Sequence, residues 1–376
     1  MSSEASLHLP QRGGRAARAP HYDVVIIGGG YAGVVAAIHL LRRASPPRLA
    51  IIEPSVRLGR GVAYATRLSC HLLNTRAKHM SLRNDDDDHY TRWAQARAQA
   101  RSENKDTAPR VDENSFTPRG WFGDYVGQEL NVAVNQAGAT FTHLRYSAMY
   151  CEQVERGLWS IGLSDGRCLF APLVILAVGN TPRRTGGFPG LRSPDARVVH
   201  AWDLQSRPPR PDADVLIVGT GLSMVDALLT LERHDHRGHI HAVSRHGLIP
   251  QAHSDNHGCC EPLTSVGLRA LVRELRGSVE EDRRAGRPWQ WRMDAARHQA
   301  QALWRGLTIL ERQRFLRHAR SYWDAHRHRI APEVALQLHA LKNTGRLTIN
   351  KGGIGEIRAT SAPRYLRSAG GDAAGS

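Results

Sequence analysis

A glycine-rich motif near the start of the chain has the residue types and spacing of a nucleotide-binding turn. Gly28, Gly30 and Gly33 form G-x-G-x-x-G between an apolar stretch that predicts a strand, 23–27, and one that predicts a helix, 34–41. Glycines permit a tight turn and let the backbone approach a pyrophosphate, whose charge the N-terminus of a helix favours. The motif therefore predicts a dinucleotide site.

An acidic residue follows at the distance expected for a partner of the ribose. Glu53 comes directly after an apolar stretch, 49–52, that predicts the next strand. A carboxylate at this place accepts a hydrogen bond from an uncharged 2′-hydroxyl, as in FAD or NAD. The alternative is an ordinary glycine turn, but such a turn does not require the strand, the helix and the spaced acid.

A second copy of the motif differs from the first at two places. Gly219, Gly221 and Ser223 follow another apolar strand, but Met224 stands where the third glycine would be. The next predicted strand is followed by Arg245 rather than by an acid, and a cation there accommodates a 2′-phosphate. This copy therefore predicts NADP. The alternative is that Arg245 is only a solvated cation at a strand end.

The charge of the chain is strongly positive but not gathered in one place. The 376 residues carry a formal net charge of +16, and only four of the 51 basic residues are lysine. Arginines are spread over the whole sequence rather than forming one basic stripe. A nucleic-acid partner is therefore not favoured, although the positive potential would help to attract an anionic cofactor.

Residues that bind metals or exchange disulfides are not arranged for either task. The five cysteines include no C-x-x-C pair and no His/Cys spacing of a metal site. The acidic run 85–88 is expected to favour the dipole of a helix at 89–100 rather than a metal. His326 and His328 are two residues apart, so on a helix they point in different directions. We therefore predict no metal site.

The sequence gives no sign of a membrane span or a secretion signal. A membrane-spanning helix needs about 20 apolar residues, and no stretch of the chain provides them. Residues 1–20 are polar and rich in arginine, which predicts a disordered extension. We therefore expect a cytoplasmic protein.

The elements around the first motif predict an FAD-binding domain over residues 21–205. Alternation of apolar residues in 158–163 indicates an antiparallel meander within 147–178. The apolar stretch 173–180 predicts a buried strand, and Gly179 near its end lets the backbone come close to the nucleotide.

The rest of the chain is divided into an NAD(P)-binding Rossmann domain at 206–260, a helical segment at 261–345 and a truncated, partly disordered tail at 346–376. The predicted fold class is α/β, with two Rossmann-type dinucleotide-binding domains and a helical subdomain. Residues 289–339 predict long helices around an apolar core. This core is expected to contain Trp291, Leu303, Trp304, Leu307, Leu310, Phe315 and Leu316.

Taken in order, these motifs resemble those of the bacterial FAD-NAD(P)-binding family, two-domain flavoproteins related to flavin-dependent amino-acid N-monooxygenases. The resemblance spans roughly residues 22–355 and makes the first cofactor FAD rather than NAD. The second cofactor is then NADPH, or NADH. The motifs that carry the resemblance are Ile27–Gly30, Gly59–Tyr64, His71–Asn74, Leu176–Asn180, Gly219–Asp226, Ser244–Pro250 and Tyr322–Pro332.

The resemblance implies roles for individual residues. The three glycines of the first motif would hold the FAD pyrophosphate, and Glu53 would hold the adenosine ribose. Gly219, Gly221 and Ser223 would cradle the phosphates of the nicotinamide nucleotide, and Arg245 would favour NADPH. Arg60 and Gly61 would lie along FAD, and Asn74 and Met80 nearer the flavin ring.

The implied activity is FAD-dependent oxidation of NAD(P)H, of the monooxygenase type and similar to N-hydroxylation, on an unidentified small molecule. The cofactors carry the chemistry, while the protein sets their approach and excludes water. No acid and base pair is required. Asn74 is the only candidate for a catalytic role, as a group that positions the flavin.

The sequence departs from the family pattern at its C-terminal end. In this fold the chain usually returns after the second nucleotide domain to complete the FAD sheet. The stretch 358–376 is rich in Ser, Ala, Gly and Arg and is too short and polar for that return. The C-terminal portion of the family is therefore expected to be absent. The alternative function is that of a truncated nucleotide-binding remnant without turnover.

Overall fold

The computed structural model describes residues 21–100, 110–138, 140–179, 198–254, 258 and 260–354. The described residues form two compact units. The first lies within Met1–Arg67 and Ala77–Thr181, and the second within Leu68–Arg76 and Pro182–Ser376. The predicted extension at 1–20 and the part of the predicted tail after residue 354 lie outside the described residues.

The first unit is built on a parallel sheet whose central strands are buried. In chain order its strands are β1 (Val24–Ile27), β2 (Leu49–Ile52), β3 (Phe141–Leu144), β4 (Ala148–Glu155), β5 (Leu158–Leu163), β6 (Cys168–Ala171) and β7 (Leu173–Leu176). The parallel sheet has the order β3-β2-β1-β7. All residues of β1 and β2 are apolar and buried, which is typical of parallel strands covered on both faces.

Helices and a second sheet cover the two faces of these strands. The helices are α1 (Tyr31–Leu41), α2 (Gly61–Tyr64), α3 (His89–Ala100) and α4 (Arg119–Ala137), with a 3-10 turn at Ala77–His79. Strands β4, β5 and β6 form the predicted antiparallel meander. Its Ile161 and Leu163 pack with Val25, Ile27 and Ala50 in one apolar cluster. The turn between β1 and α1 therefore follows a strand that is packed into a buried apolar cluster.

Two details of the first unit differ from the expectation. Helix α1 begins at Tyr31 rather than at residue 34, so Gly33 lies inside its first turn. Strand β7 is not buried, because Leu173 is 49% exposed and Leu176 is 69% exposed. Among the described residues β7 pairs only with β1, at the edge of the sheet. An apolar run predicts a strand, but its burial depends on neighbours that are distant in sequence.

The second unit contains a parallel sheet of strands β8 (Val215–Val218), β9 (Ile240–Ser244) and β10 (Leu347–Lys351), in the order β10-β9-β8. Strand β10 lies within the stretch 346–376, which was predicted as a truncated, partly disordered tail, so the start of that stretch is ordered. β10 pairs with β9 in parallel register over its full length, from Leu347 opposite Ile240 to Lys351 opposite Ser244.

Short helices make up the rest of the second unit. They are α5 (Leu222–Arg233), α6 (Leu268–Arg284), α7 (Gln290–His298), α8 (Ala300–Gly306), α9 (Ile309–Arg314), a π-helical turn (Phe315–Ala319), α10 (Arg320–Arg327) and α11 (Pro332–Asn343). The long helices expected at 289–339 are therefore broken into several pieces. Of the predicted core, Leu307 is buried, whereas Leu310 is 56% and Leu316 is 50% exposed.

The predicted fold class is confirmed: each unit has a parallel sheet with a strand, a glycine turn and a helix in sequence, and a helical segment follows the second turn. The residue limits of the domains stay predictions. No helix within the described part of the chain has both the length and the apolar character that a membrane crossing requires.

Candidate functional site

The first glycine motif forms a tight turn between β1 and α1. Gly28 has a φ of +108° and donates its N–H to Ile52 O at 2.9 Å. A Cβ added to Gly33 would lie 2.0 Å from Gly28 O, so only glycine fits there. Gly30 is the N-cap of α1 and has no side chain to bind the first-turn amides. These amides can therefore donate hydrogen bonds to a bound ligand, and the turn fits a pyrophosphate.

Two backbone amides hold the Glu53 carboxylate beside this turn. Gly29 N donates to Oε2 and Ser55 N donates to Oε1, each at 2.9 Å. A carboxylate has more lone pairs than these two bonds use, so Glu53 can still accept a hydrogen bond from a ribose hydroxyl. Residue 29 must be small, because a Cβ there would lie 2.6 Å from Glu53 Cβ.

Arg60 and Gly61, which were predicted to lie along FAD, follow the same turn. Gly61 begins α2, and a Cβ on it would lie 3.3 Å from Gly30 Cα. Arg60 is 13% exposed, and its guanidinium pairs with Asp124, which also binds Arg97. The structure therefore gives Arg60 a carboxylate partner inside the first unit. Its contact with FAD stays a prediction.

Three other predicted residues stand in different parts of the chain. Gly179 follows β7, is exposed and has a φ of +67°. Met80 directly follows the 3-10 turn, and its N–H donates to Ala77 O at 3.0 Å. Asn74 belongs to the second unit, in the segment Leu68–Arg76. Their contacts with FAD, and a positioning role of Asn74, stay predictions.

The second glycine motif repeats the geometry of the first. Gly219 also has a φ of +108°, and its N–H donates to Val243 O at 2.8 Å. Gly221 is the N-cap of α5, and no atom lies within 4 Å of a Cβ built on either glycine. Ser223 is exposed in the first turn of α5. Met224, in place of the third glycine, is only 2% exposed and leaves the turn open.

The two copies differ where the turn meets the end of the neighbouring strand. Ser244 takes the place of Glu53, one residue after Val243, and Thr220 takes the place of Gly29. Thr220 Oγ1 and Ser244 Oγ are 2.7 Å apart, and Thr220 also donates to Leu248 O. The second copy therefore has two neutral hydroxyls where the first has a carboxylate, so it does not repel a 2′-phosphate.

A cavity of about 260 Å³ opens beside the second turn. Arg245 lines it, and no ion pair of Arg245 is found within the described residues. A cation without a partner beside neutral hydroxyls fits a phosphate monoester. The other residues that line the cavity are Thr220, Gly221, Leu222, Ser244, His246, Leu248, Ile249, Pro250, Ser321, Asp324, Ala325 and His328.

The segment Leu68–Arg76, which we call the crossover segment, is bound to the second unit by several polar contacts. His71 Nε2 lies 3.1 Å from Asp226 O and 3.0 Å from Thr230 Oγ1, both on α5. Arg76 Nη2 donates to Ser254 O at 2.6 Å. The segment is therefore held on the same helix whose N-terminus forms the second glycine turn.

His253 anchors the middle of the crossover segment. Its Nε2 donates to Asn74 O at 2.9 Å. Burial, together with repulsion by Arg329 and Arg76, lowers the pKa of His253 to about 4. The ring is therefore neutral at pH 7, with its proton on Nε2.

The histidines and the acidic run considered as metal ligands have other contacts. His326 Nδ1 lies 2.7 Å from Tyr322 O, and His328 Nε2 accepts a hydrogen bond from Arg327 at 2.5 Å. Asp86 pairs with Arg92 of α3. Among the described residues no three His, Cys, Asp or Glu side chains are grouped so that they could hold a metal ion.

Residues of α10 in the cavity were not predicted as site residues. The stretch around Tyr322 was part of the resemblance, and residues 289–339 were predicted only as helices around an apolar core. The pairing of Thr220 with Ser244 was also missed. Aligning the two copies strand by strand would have found it, because it places Ser244 opposite Glu53.

The comparison with family models agrees with the first site. Residues 25–181 match the model described as FAD-NAD(P)-binding. This match covers β1, the first glycine turn, Glu53 and β7. No curated protein matches the sequence.

Solved structures of similar fold include two ornithine hydroxylases and a lysine monooxygenase. They include the ornithine N-hydroxylase of Kutzneria sp. 744 with reduced FAD, NADP+ and L-ornithine, at 17% identity and TM-score 0.52, covering 87% of this chain and 71% of that one. The reduced ornithine hydroxylase of Pseudomonas aeruginosa has 14% identity, TM-score 0.56 and coverage of 90% and 75%. The L-lysine 6-monooxygenase of Pseudomonas syringae has 19% identity and a TM-score of 0.55, covering 91% of this chain and 74% of that one.

These likenesses extend over both units of the chain and show a shared fold. With the family match, they confirm the predicted resemblance. Residues 25–181 therefore form an FAD-NAD(P)-binding domain.

Proposed function

We propose that this protein is an FAD-dependent oxidoreductase that oxidises NADPH and acts as a monooxygenase on a small molecule. The observation that carries the proposal is the difference between the two turns at the end of the neighbouring strand. Glu53 stands at the first, whereas Ser244 and the unpaired Arg245 stand at the second. One site suits a ribose with a free 2′-hydroxyl, and the other suits a 2′-phosphate.

Each site has a defined set of residues for its cofactor. The amides that follow Gly30, in the first turn of α1, donate to the FAD pyrophosphate, and Glu53 holds the ribose. The turn from Gly219 to Ser223 receives the pyrophosphate of NADPH, and Arg245 binds its 2′-phosphate. When bound, FAD supplies a group that accepts hydride from NADPH and passes electrons to oxygen.

The substrate class is the more specific part of the proposal, and only the similarity of fold supports it. The three solved proteins of similar fold are hydroxylases or monooxygenases of ornithine and lysine. We infer that this chain oxygenates a small molecule that carries an amine. The cytoplasmic location and the lack of a nucleic-acid partner stay predictions.

Two measurements on the purified protein test the proposal. Titration with FAD should give a protein-bound flavin spectrum, and the loaded protein should consume NADPH together with oxygen. NADPH should be preferred over NADH. A protein that binds FAD and NADPH without oxidising NADPH would be a nucleotide-binding protein without turnover, which would contradict the proposal.

Screening for the substrate requires a second readout. Mass spectrometry of reactions with amino acids and small amines should show a product that has gained one oxygen atom. NADPH oxidation that yields only hydrogen peroxide with every amine would contradict the amine oxygenation but not the NADPH oxidation.

A further inference from the structure

Helix α10 contributes one face to the cavity beside the second glycine turn. Ser321, Asp324, Ala325 and His328 all line it. Their spacing of three, four and seven residues places them on the same side of a helix. This helix lies outside the stretch 206–260 from which nucleotide binding was predicted.

Direct contacts fix α10 against the rest of the cavity. The ring of Tyr322 lies 5.8 Å from the ring of His246, next to the end of β9. Toward the other end of the helix, Gln251 N donates to Ala325 O at 3.1 Å, and Ile330 N donates to Gln251 O at 2.9 Å. The start of α10 therefore lies by the strand end that carries Arg245.

The size and position of the cavity indicate which part of a dinucleotide it encloses. Its volume of about 260 Å³ is below the roughly 300–1,000 Å³ of sites that enclose a whole drug-sized ligand. Ser244 lines it at the place where the first copy has the ribose acid. The enclosed part is therefore the adenosine ribose and its 2′ substituent.

The charges of the cavity wall favour a phosphate at one end and a hydroxyl at the other. Asp324 pairs with one cation, since Arg320 Nε lies 3.4 Å from its carboxylate. His328 Nδ1 lies 3.9 Å away, but burial lowers the pKa of His328, so this ring is neutral at pH 7. Ser321 has no hydrogen-bond partner among the residues that the structure describes. The hydroxyl can donate to a phosphate, and the carboxylate can accept from a ribose hydroxyl.

We propose that α10 completes the 2′-phosphoribose subsite of the NADPH site. Ser321 donates to the 2′-phosphate opposite Arg245, and Asp324, one helical turn further on, accepts from the 3′-hydroxyl. This inference rests on the proposed function. It makes α10 a determinant of the choice between NADPH and NADH, because Ser321, like Arg245, contacts the 2′-phosphate by which the two nucleotides differ.

Binding of two nucleotide fragments to the FAD-loaded full chain tests this proposal. Adenosine 2′,5′-bisphosphate carries the 2′-phosphate, and adenosine 5′-monophosphate does not. By calorimetry, Ser321→Ala should weaken the bisphosphate about three- to tenfold and leave the monophosphate unchanged. Asp324→Asn should weaken both fragments by similar factors. Ser278→Ala on α6 and Asp212→Asn are the matched controls and should change neither.

The outcomes separate this inference from the proposed function. If the wild-type chain binds the bisphosphate and Ser321→Ala binds it equally well, α10 does not contact the phosphate and the inference fails alone. If Asp324→Asn strengthens the bisphosphate selectively, the carboxylate faces the phosphate, which also contradicts the assignment. If the wild-type chain prefers the monophosphate, the NADPH site itself is wrong. Far-ultraviolet circular dichroism confirms that each variant is folded.

Discussion

Glu53 and Ser244 occupy the same place in two copies of one turn, and we propose that this position helps to separate the two cofactors. In the first copy a Cβ at residue 29 would lie 2.4 Å from Leu58 Cδ2 and 2.6 Å from Glu53 Cβ, whereas in the second copy Thr220 stands at this place, with its hydroxyl 2.7 Å from that of Ser244.

Replacing the Glu53 carboxylate tests the first site. Glu53→Gln keeps the size but removes the charge and turns an N–H toward one of two backbone donors. Since hydrogen bonds to charged groups contribute roughly 1.5–3 kcal/mol, we expect FAD to bind about ten- to a hundredfold more weakly. Fluorescence titration measures this change. The exposed Glu155→Gln is the control, and unchanged FAD affinity in Glu53→Gln would exclude the ribose role.

Converting the second turn into the first tests the origin of the NADPH preference. The double variant Thr220→Gly with Ser244→Glu should place a carboxylate beside the 2′ position. We expect the ratio of NADPH affinity to NADH affinity to fall at least about tenfold, because the new charge repels the phosphate. Thr348→Gly with Thr344→Glu, away from the cavity, is the comparison. A double variant that kept the original ratio would show that the 2′ position lies elsewhere.

At the scale of elements, the parts that are local in sequence could be predicted and the others could not. The strand, turn and helix around Gly28 and around Gly219 each lie within about 20 consecutive residues, and their residue types decide the geometry. β10 could not be found in this way, because its pairing with β9 joins residues more than a hundred positions apart. The position of α10 in the cavity could not be predicted for the same reason, because it depends on contacts between residues that are distant in sequence.

The crossover segment provides an element-scale prediction for stability. His253 has a pKa near 4 in the folded chain and an ordinary value of 6.5 when unfolded. The unfolded chain therefore binds the proton first as pH falls. The contribution of neutral His253 to the free energy of unfolding is fully present above about pH 6.5 and is lost between pH 6.5 and 4. The loss is on the order of 1–3 kcal/mol at pH 4.

Chemical unfolding at several pH values checks this prediction. His253→Gln keeps a donor for Asn74 O but cannot titrate, so its stability should depend less on pH in this range. The exposed His39→Gln on α1 should behave like the wild type. Equal pH dependence of wild type and His253→Gln would show that the burial of His253 does not control stability.

At the scale of the whole molecule, the chain has two glycine turns, each within its own unit, and we propose opposite nucleotide preferences for them. Both turns could be predicted from the sequence because each is a short motif. The sequence did not predict that residues 68–76 belong to the second unit, since nothing local in the segment marks the contacts of His71 and Asn74 with α5 and His253. The passage of hydride between the two sites stays a prediction.

Anaerobic stopped-flow mixing of the FAD-loaded chain with NADPH shows whether the two proposed sites act together. We expect the visible absorption of the flavin to be lost in a reaction that saturates with NADPH and is much slower with NADH at equal concentration. In the double variant of Thr220 and Ser244 this difference between the nucleotides should disappear. A flavin that stays oxidised in excess NADPH, or one that is reduced equally fast by both nucleotides, would contradict the proposal.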